Sequence, residues 1–217
     1  MIQEIFSVPI YKIKLDLDVN KLELFCNKYQ HKNKGRVVSN RGGYQSKDLS
    51  LADVTLQPLI EAIKTHSNQF AKTFVFLKTQ KKLIPLFAQW QKDKNREMLD
   101  TFYNNKKQIM SNIWFNTNSC KDSNVSHNHG GFDISGVFYI KTPEGCGDIK
   151  FKHPAQDLLD YYFIDVKQSE QVSTYSKKTW CLPSVANMLY LFPSWLYHSV
   201  KSNCNKAEKR ISMSFNI

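Results

Sequence analysis

The chain has 217 residues, 41% of them hydrophobic and 13% aromatic, which suffices for one sizeable core and excludes a disordered chain. Lysine plus arginine exceeds aspartate plus glutamate by 30 − 19 = 11, a basic balance that leaves a polyanionic partner such as nucleic acid open without favouring it, and equally admits an anionic small molecule. No apolar stretch approaches the ~18 to 20 residues that cross a bilayer. Met1 to Phe6 carries no basic segment leading into a long apolar one, so a cytoplasmic protein without a membrane partner is expected.

Cys26, Cys120, Cys146, Cys181 and Cys204 are odd in number and widely spaced, without a CxxC pair. That pattern argues for free thiols and against a disulfide framework or a cysteine zinc site. Much of the basic charge falls in the runs Lys78 to Lys82, Lys92 to Arg96 and Lys106-Lys107, and such runs are commonly solvated faces.

In chain order, residues 3–15 read as a strand interrupted at Pro9, which suggests a sheet edge. Residues 18–30 read as a short helix with Leu22, Leu24 and Phe25 as core contacts. Within 35–48, Asn40 and the Gly42-Gly43 pair mark a tight turn. Residues 56–76 form the clearest helix, with Leu59, Ile63, Phe70 and Phe74 at helical spacing and Pro58 in the first turn. His66 lies near this stripe and reads as a hydrogen-bonded or partly exposed histidine. His31, among lysines, reads as solvent-exposed.

From about residue 109 the texture changes to short apolar runs at 109–117, 134–141, 148–153, 187–192 and 209–217. The turn Pro143 to Asp148 suggests that 134–141 and 148–153 form a hairpin, and the series as a whole suggests a β-sandwich or jelly roll. No internal repeat or linker divides the chain. A single domain over 1–217 is expected, with 1–108 as an N-terminal strand and helical elaboration on a 109–217 core.

His127 and His129 stand two apart, so in a strand both imidazoles face one side. His198 follows 69 residues after His129, where an apolar strand breaks at Pro193 and resumes. Two ligands on one strand and a third on another form a facial set that leaves positions of an octahedral ion open. Alone, the HxH pair reads first as two exposed loop histidines. Downstream, Arg210, Ser212 and Ser214 alternate onto one face of a strand. A guanidinium beside a hydroxyl suits the distal carboxylate of a keto diacid, although Arg210 could instead pair with a surface carboxylate. His153 ends a strand and has little claim on the site.

The ordered set Trp114-Phe115-Asn116, His127-x-His129, Ser135 to Ile140, Leu191 to Trp195 with His198, and Arg210-x-Ser212-x-Ser214-Phe215-Asn216 resembles the 2-oxoglutarate/Fe(II) oxygenases of a bacterial and phage branch. The match runs over about 105 residues, and Ser39 to Ser46 resembles that branch's N-terminal region. The resemblance implies a mainly β, α+β fold: a double-stranded β-helix (cupin-like jelly roll) core carrying the N-terminal strand and helices. It implies Fe(II) as metal, and 2-oxoglutarate and O2 as cosubstrates, in a dioxygenase that hydroxylates its substrate and releases succinate and CO2.

By that resemblance His127 and His198 are metal ligands, and Arg210 with Ser212 holds the distal carboxylate. Tyr139 and Asn116 become further cosubstrate contacts, or else a core ring and a strand-end residue. The wider superfamily places a carboxylate where this chain has His129, so either His129 or Asp133 completes the metal set. Trp195 and Tyr197 are candidates for the pocket mouth or for core packing. Two other functions fit the sequence. One is a cupin-type metalloenzyme that ignores 2-oxoglutarate, and the other is a non-catalytic basic β-sandwich that binds nucleic acid.

Overall fold

The structure, a computed structural model, describes residues 7–73, 110–157 and 177–217. Phe74 and the three basic runs lie outside them. Eleven strands among the described residues form two sheets, and two helices pack on the larger. The strands are β1 (Tyr11–Lys14), β2 (Asn40–Arg41), β3 (Tyr44–Gln45), β4 (Asn112–Asn118), β5 (Ser123–His127), β6 (Ile134–Lys141), β7 (Ile149–Lys152), β8 (Thr179–Leu182), β9 (Met188–Pro193), β10 (His198–Val200) and β11 (Arg210–Asn216). The helices are α1 (Val19–Lys32) and α2 (Gln57–Thr73). The larger sheet runs β1-β9-β6-β11-β4-β3 and the smaller β2-β5-β10-β7-β8, with every named pairing antiparallel. This is the expected sandwich of jelly-roll type. Among the described residues no helix is long and apolar enough to cross a membrane.

Strand alternation gives the larger sheet two unlike faces. Ile113, Phe115, Phe138, Leu191, Met213 and Phe215 join Leu22 and Cys26 of α1 and Leu59, Ile63 and Phe70 of α2 in the main core. Each such side chain contributes roughly 1.5–3 kcal/mol when fully buried. Gly136 is required here, because a Cβ at that position would stand 2.3 Å from the Phe215 ring. The second face turns toward the smaller sheet, where Val137, Tyr139, Tyr190 and Phe192 meet Ile149 and Phe151.

β1 is an edge strand, as Pro9 suggests, and it pairs only with β9. Asp18 caps α1 by accepting the Lys21 amide at 3.0 Å. Leu22 and Cys26 are buried, but Leu24 is 59% exposed. Two residues turn a helix by about 200°, so Leu22 and Leu24 cannot both face the core. His66 accepts or donates a 2.9 Å hydrogen bond with Tyr11, which ties α2 to β1.

The expected hairpin of 134–141 with 148–153 does not form, because β6 lies in the larger sheet and β7 in the smaller. Gly145 and Gly147, at φ of 72° and 85°, bend the chain from one sheet to the other. At Gly147 a Cβ would stand 2.3 Å from the Lys201 carbonyl oxygen. The turn residues were visible in the sequence, but the sheet that receives the next strand is a tertiary choice. β8, β2 and β3 carry too little apolar pattern to be anticipated.

Candidate metal centre

β10 lies between β5 and β7, and its register sets His198 directly opposite His127. Their rings are 4.4 Å apart between centroids. His129 lies just past the end of β5, where its backbone amide donates to the Ser194 carbonyl at 2.9 Å. That bond returns its ring to within 5.1 Å of both other imidazoles. One ligand nitrogen from each histidine lies within 4.8 Å of the other two. Among the described residues no other group of three histidine, cysteine or carboxylate side chains is so arranged. Asp133 is exposed and outside this cluster, because the strand β6 that follows it leads into the larger sheet.

Each imidazole has a fixed partner. His127 Nδ1 is 2.7 Å from the Val125 carbonyl and His198 Nδ1 is 3.0 Å from that of Leu196. A carbonyl only accepts, so both Nδ1 atoms carry the proton and both Nε2 atoms keep a lone pair. Hydrogen bonding from the Asn216 side chain opposes the downward shift of His129. Trp114 stacks on His129, and Phe192 meets His198 edge-on at 4.7 Å. Burial, then the charge of a neighbouring histidine, pushes His198 down to about 3 and His129 to about 4, and burial lowers His127. All three are neutral at pH 7, the state in which imidazole binds a metal.

A pocket opens over these rings, lined also by Trp114, Asn116, Tyr139, Phe192, Ser212 and Ser214. Two cross-strand rows form its wall on the larger sheet: Trp114–Ser214–Val137, then Asn116–Ser212–Tyr139. Next along β11 comes Arg210, opposite Asn118. Arg210 does not itself line the pocket. It is 1% exposed, and Nη1 donates to the carbonyls of Cys146, Gly147 and Lys201 at 2.6, 3.0 and 3.4 Å. The surface-pair alternative for Arg210 is therefore excluded by its burial.

Around the end of this wall, buried polar atoms stand without partners among the described residues: Arg210 Nε, Tyr139 OH and Asn116 Oδ1. Ser184 neighbours the Tyr139 hydroxyl, and its own proton goes to the Gly147 carbonyl at 2.7 Å, so it does not donate to Tyr139. Burial, only partly opposed by the Arg210 charge, raises the Tyr139 phenol to about 12. Unpaired donors in so buried a place are costly unless a ligand takes them. Two unpaired donors, the Arg210 Nε–H and the Tyr139 hydroxyl, fit a carboxylate-bearing cosubstrate, and three clustered neutral imidazoles fit a divalent metal.

Trp195 and Tyr197 are each 49% exposed and do not line the pocket. Alternation past His198 sends Tyr197 to the outer face of the smaller sheet, and Trp195 sits in the turn before it. His153 accepts the Ala155 amide at 3.0 Å, and His31 is exposed in the last turn of α1. Ser135, Ser194 and Asn216 were missed as site residues. Asn216 continues the Arg210, Ser212, Ser214 alternation, which is the signal that could have found it.

Residues 112–216 match the family model described as Putative 2OG-Fe(II) oxygenase. No curated protein matches the sequence. Among solved structures, a Pseudomonas putida prolyl-4-hydroxylase is 11% identical, with a TM-score of 0.54 over 97% of this chain and 92% of its own. The viral collagen prolyl hydroxylase of Paramecium Bursaria Chlorella virus-1 is 13% identical, with a TM-score of 0.50 over 95% and 94%. HygX from Streptomyces hygroscopicus, solved with nickel and 2-oxoglutarate bound, is 9% identical, with a TM-score of 0.53 over 96% and 82%. At these identities the likeness is one of fold. The family match thus falls on residues 112–216, the segment that carries the three histidines, in a family of oxygenases that use Fe(II) and 2-oxoglutarate.

Proposed function

We propose that the chain hydroxylates an organic substrate at a three-histidine iron centre, with 2-oxoglutarate converted to succinate and CO2. The observation that carries this reading is the convergence of three ligand nitrogens within 4.8 Å at the floor of a pocket. When bound, Fe(II) and 2-oxoglutarate supply the oxidising power that places one atom of O2 in a substrate C–H bond and the other in succinate.

His127, His129 and His198 are the proposed ligands. Their Nδ1–H bonds to main-chain carbonyls, for His127 and His198, hold the rings in one tautomer and aim Nε2 at a shared point. Three neutral donors leave the charge of a divalent ion to be balanced by the carboxylates of the cosubstrate. Arg210 and Ser212 are proposed to take its far carboxylate, with Tyr139 and Asn116 beside it. A guanidinium pinned through Nη1 keeps its Nε edge oriented, so little freedom is lost when a carboxylate docks. Tyr139, neutral at any physiological pH, is a hydrogen-bond donor in this scheme. Val137, Ile149, Phe192 and Val200 make the dry part of the lining that excludes water.

The test is an anaerobic Fe(II) titration with and without 2-oxoglutarate. A weak visible charge-transfer band is expected in the wild type only with both present. It is expected to vanish in His198→Ala and to need more 2-oxoglutarate in Ser212→Ala. A wild type that binds iron without ever giving the band would overturn the reading.

A further inference from the structure

Behind His129 lies a set of buried polar side chains that the proposed chemistry does not use. Ser135, Ser194 and Asn216 are 1%, 0% and 3% exposed. Ser135 Oγ donates to Asn216 Oδ1 at 2.8 Å and is 2.8 Å from Ser194 Oγ. A hydroxyl has one proton, so Ser194 is the donor in the second bond. Asn216 Nδ2 donates to Asn112 Oδ1 at 3.0 Å, which fixes the rotation of the amide: its oxygen, not its nitrogen, is on the Ser135 side. Ser194 also accepts the His129 backbone amide, at 2.9 Å.

Resting on the metal reading above, we propose that Asn216 is a positioning residue for His129, its amide oxygen holding the ring N–H so that the other ring nitrogen points at the metal. The set holds the His129 main chain through Ser194, and the proposed bond to Asn216 would hold its ring as well. His127 and His198 end or begin strands and take main-chain carbonyls two residues upstream as their acceptors. His129 lies beyond its strand and depends on a side chain from β11 for the same service. Position 129 is also where this chain departs from the usual carboxylate. A carboxylate needs no tautomer fixed, whereas an imidazole does.

The test is Co(II) binding to the full chain, read as affinity and as the visible ligand-field spectrum. Asn216→Leu is expected to weaken Co(II) binding about 10- to 100-fold and alter the spectrum, while Asn216→Asp, which keeps the acceptor, stays within about threefold. In a His129→Ala background Asn216→Leu is expected to add less than about twofold, because both changes remove one ligand. If Asn216→Leu does not fold, Ser135→Ala serves, with a smaller loss and the same dependence on His129. Equal losses with and without His129, or wild-type affinity in the folded variants, overturn the proposal while leaving the metal centre intact. A wild type that binds no Co(II) removes the metal centre and this inference with it.

Discussion

Trp114 lies against the imidazole of His129, with centroids 5.7 Å apart and planes 19° from parallel. The Arg36 guanidinium sits 5.8 Å from the same indole. Trp114 is 7% exposed, so Trp114→Ala should cost about 3–5 kcal/mol of stability and loosen metal binding through His129. Trp114→Phe should recover most of both. Urea denaturation and Co(II) titration of the two variants check this; an unchanged urea midpoint for the alanine variant would contradict it.

The ligand set has a direct test in Ni(II) calorimetry. Alanine at 127, 129 or 198 should each lower affinity by more than the ~10- to 100-fold that losing a supporting residue costs. Asp133→Asn should leave it unchanged, since Asp133 stands outside the cluster. Should the 129 variant bind normally and the 133 variant fail, the third ligand is the carboxylate.

Tyr139→Phe should act in opposite directions on two measurements. Its hydroxyl is buried and lacks a partner among the described residues, so its removal should leave the thermal midpoint of the metal-free protein unchanged or raise it. The same change should weaken 2-oxoglutarate binding several-fold, by about the 1 kcal/mol of one net hydrogen bond. A hydroxyl with a purely structural role would lower the midpoint and leave 2-oxoglutarate affinity alone.

The metal-free protein should be acid-labile in a defined window. His198 and His129 titrate near 3 and 4 when folded and near 6.5 when unfolded. Between those values the unfolded chain binds more protons, so stability is fully present above pH 6.5 and is lost as pH falls toward the folded values. Buried His198 alone contributes a slope of up to roughly 1.4 kcal/mol per pH unit. Thermal midpoints measured from pH 7.5 to 4 should fall about equally with and without Ni(II) near neutrality, because the folded imidazoles carry no proton there in either state.

Period-two alternation made much of this site readable in advance. Arg210, Ser212 and Ser214 do share a face, whereas His129 joins His127 from beyond the end of β5, through its amide bond to Ser194 and not through alternation. What the pattern lacked was the register between distant strands. Nothing local states that β10 pairs with β5 so that His198 meets His127, or that 148–153 leaves the sheet of 134–141. Those depend on loop paths set by a few glycines and on cores assembled across the chain. Trp195 and Tyr197 misled for a related reason: aromatic residues beside a ligand are adjacent in sequence, yet alternation turns Tyr197 to the other face.

The three imidazoles hang from the smaller sheet and its flank, while Asn116, Tyr139 and Ser212 stand on the larger one. The proposed ligands and the proposed cosubstrate wall therefore face each other across a gap, and Phe151 and Phe192, edge to face at 5.1 Å, act as its spacer. A bond-making step tolerates little error in reach, and about 1 Å can cost a hundredfold in rate. Trimming the Phe151 ring, which does not line the pocket, would thus detune turnover by changing sandwich thickness.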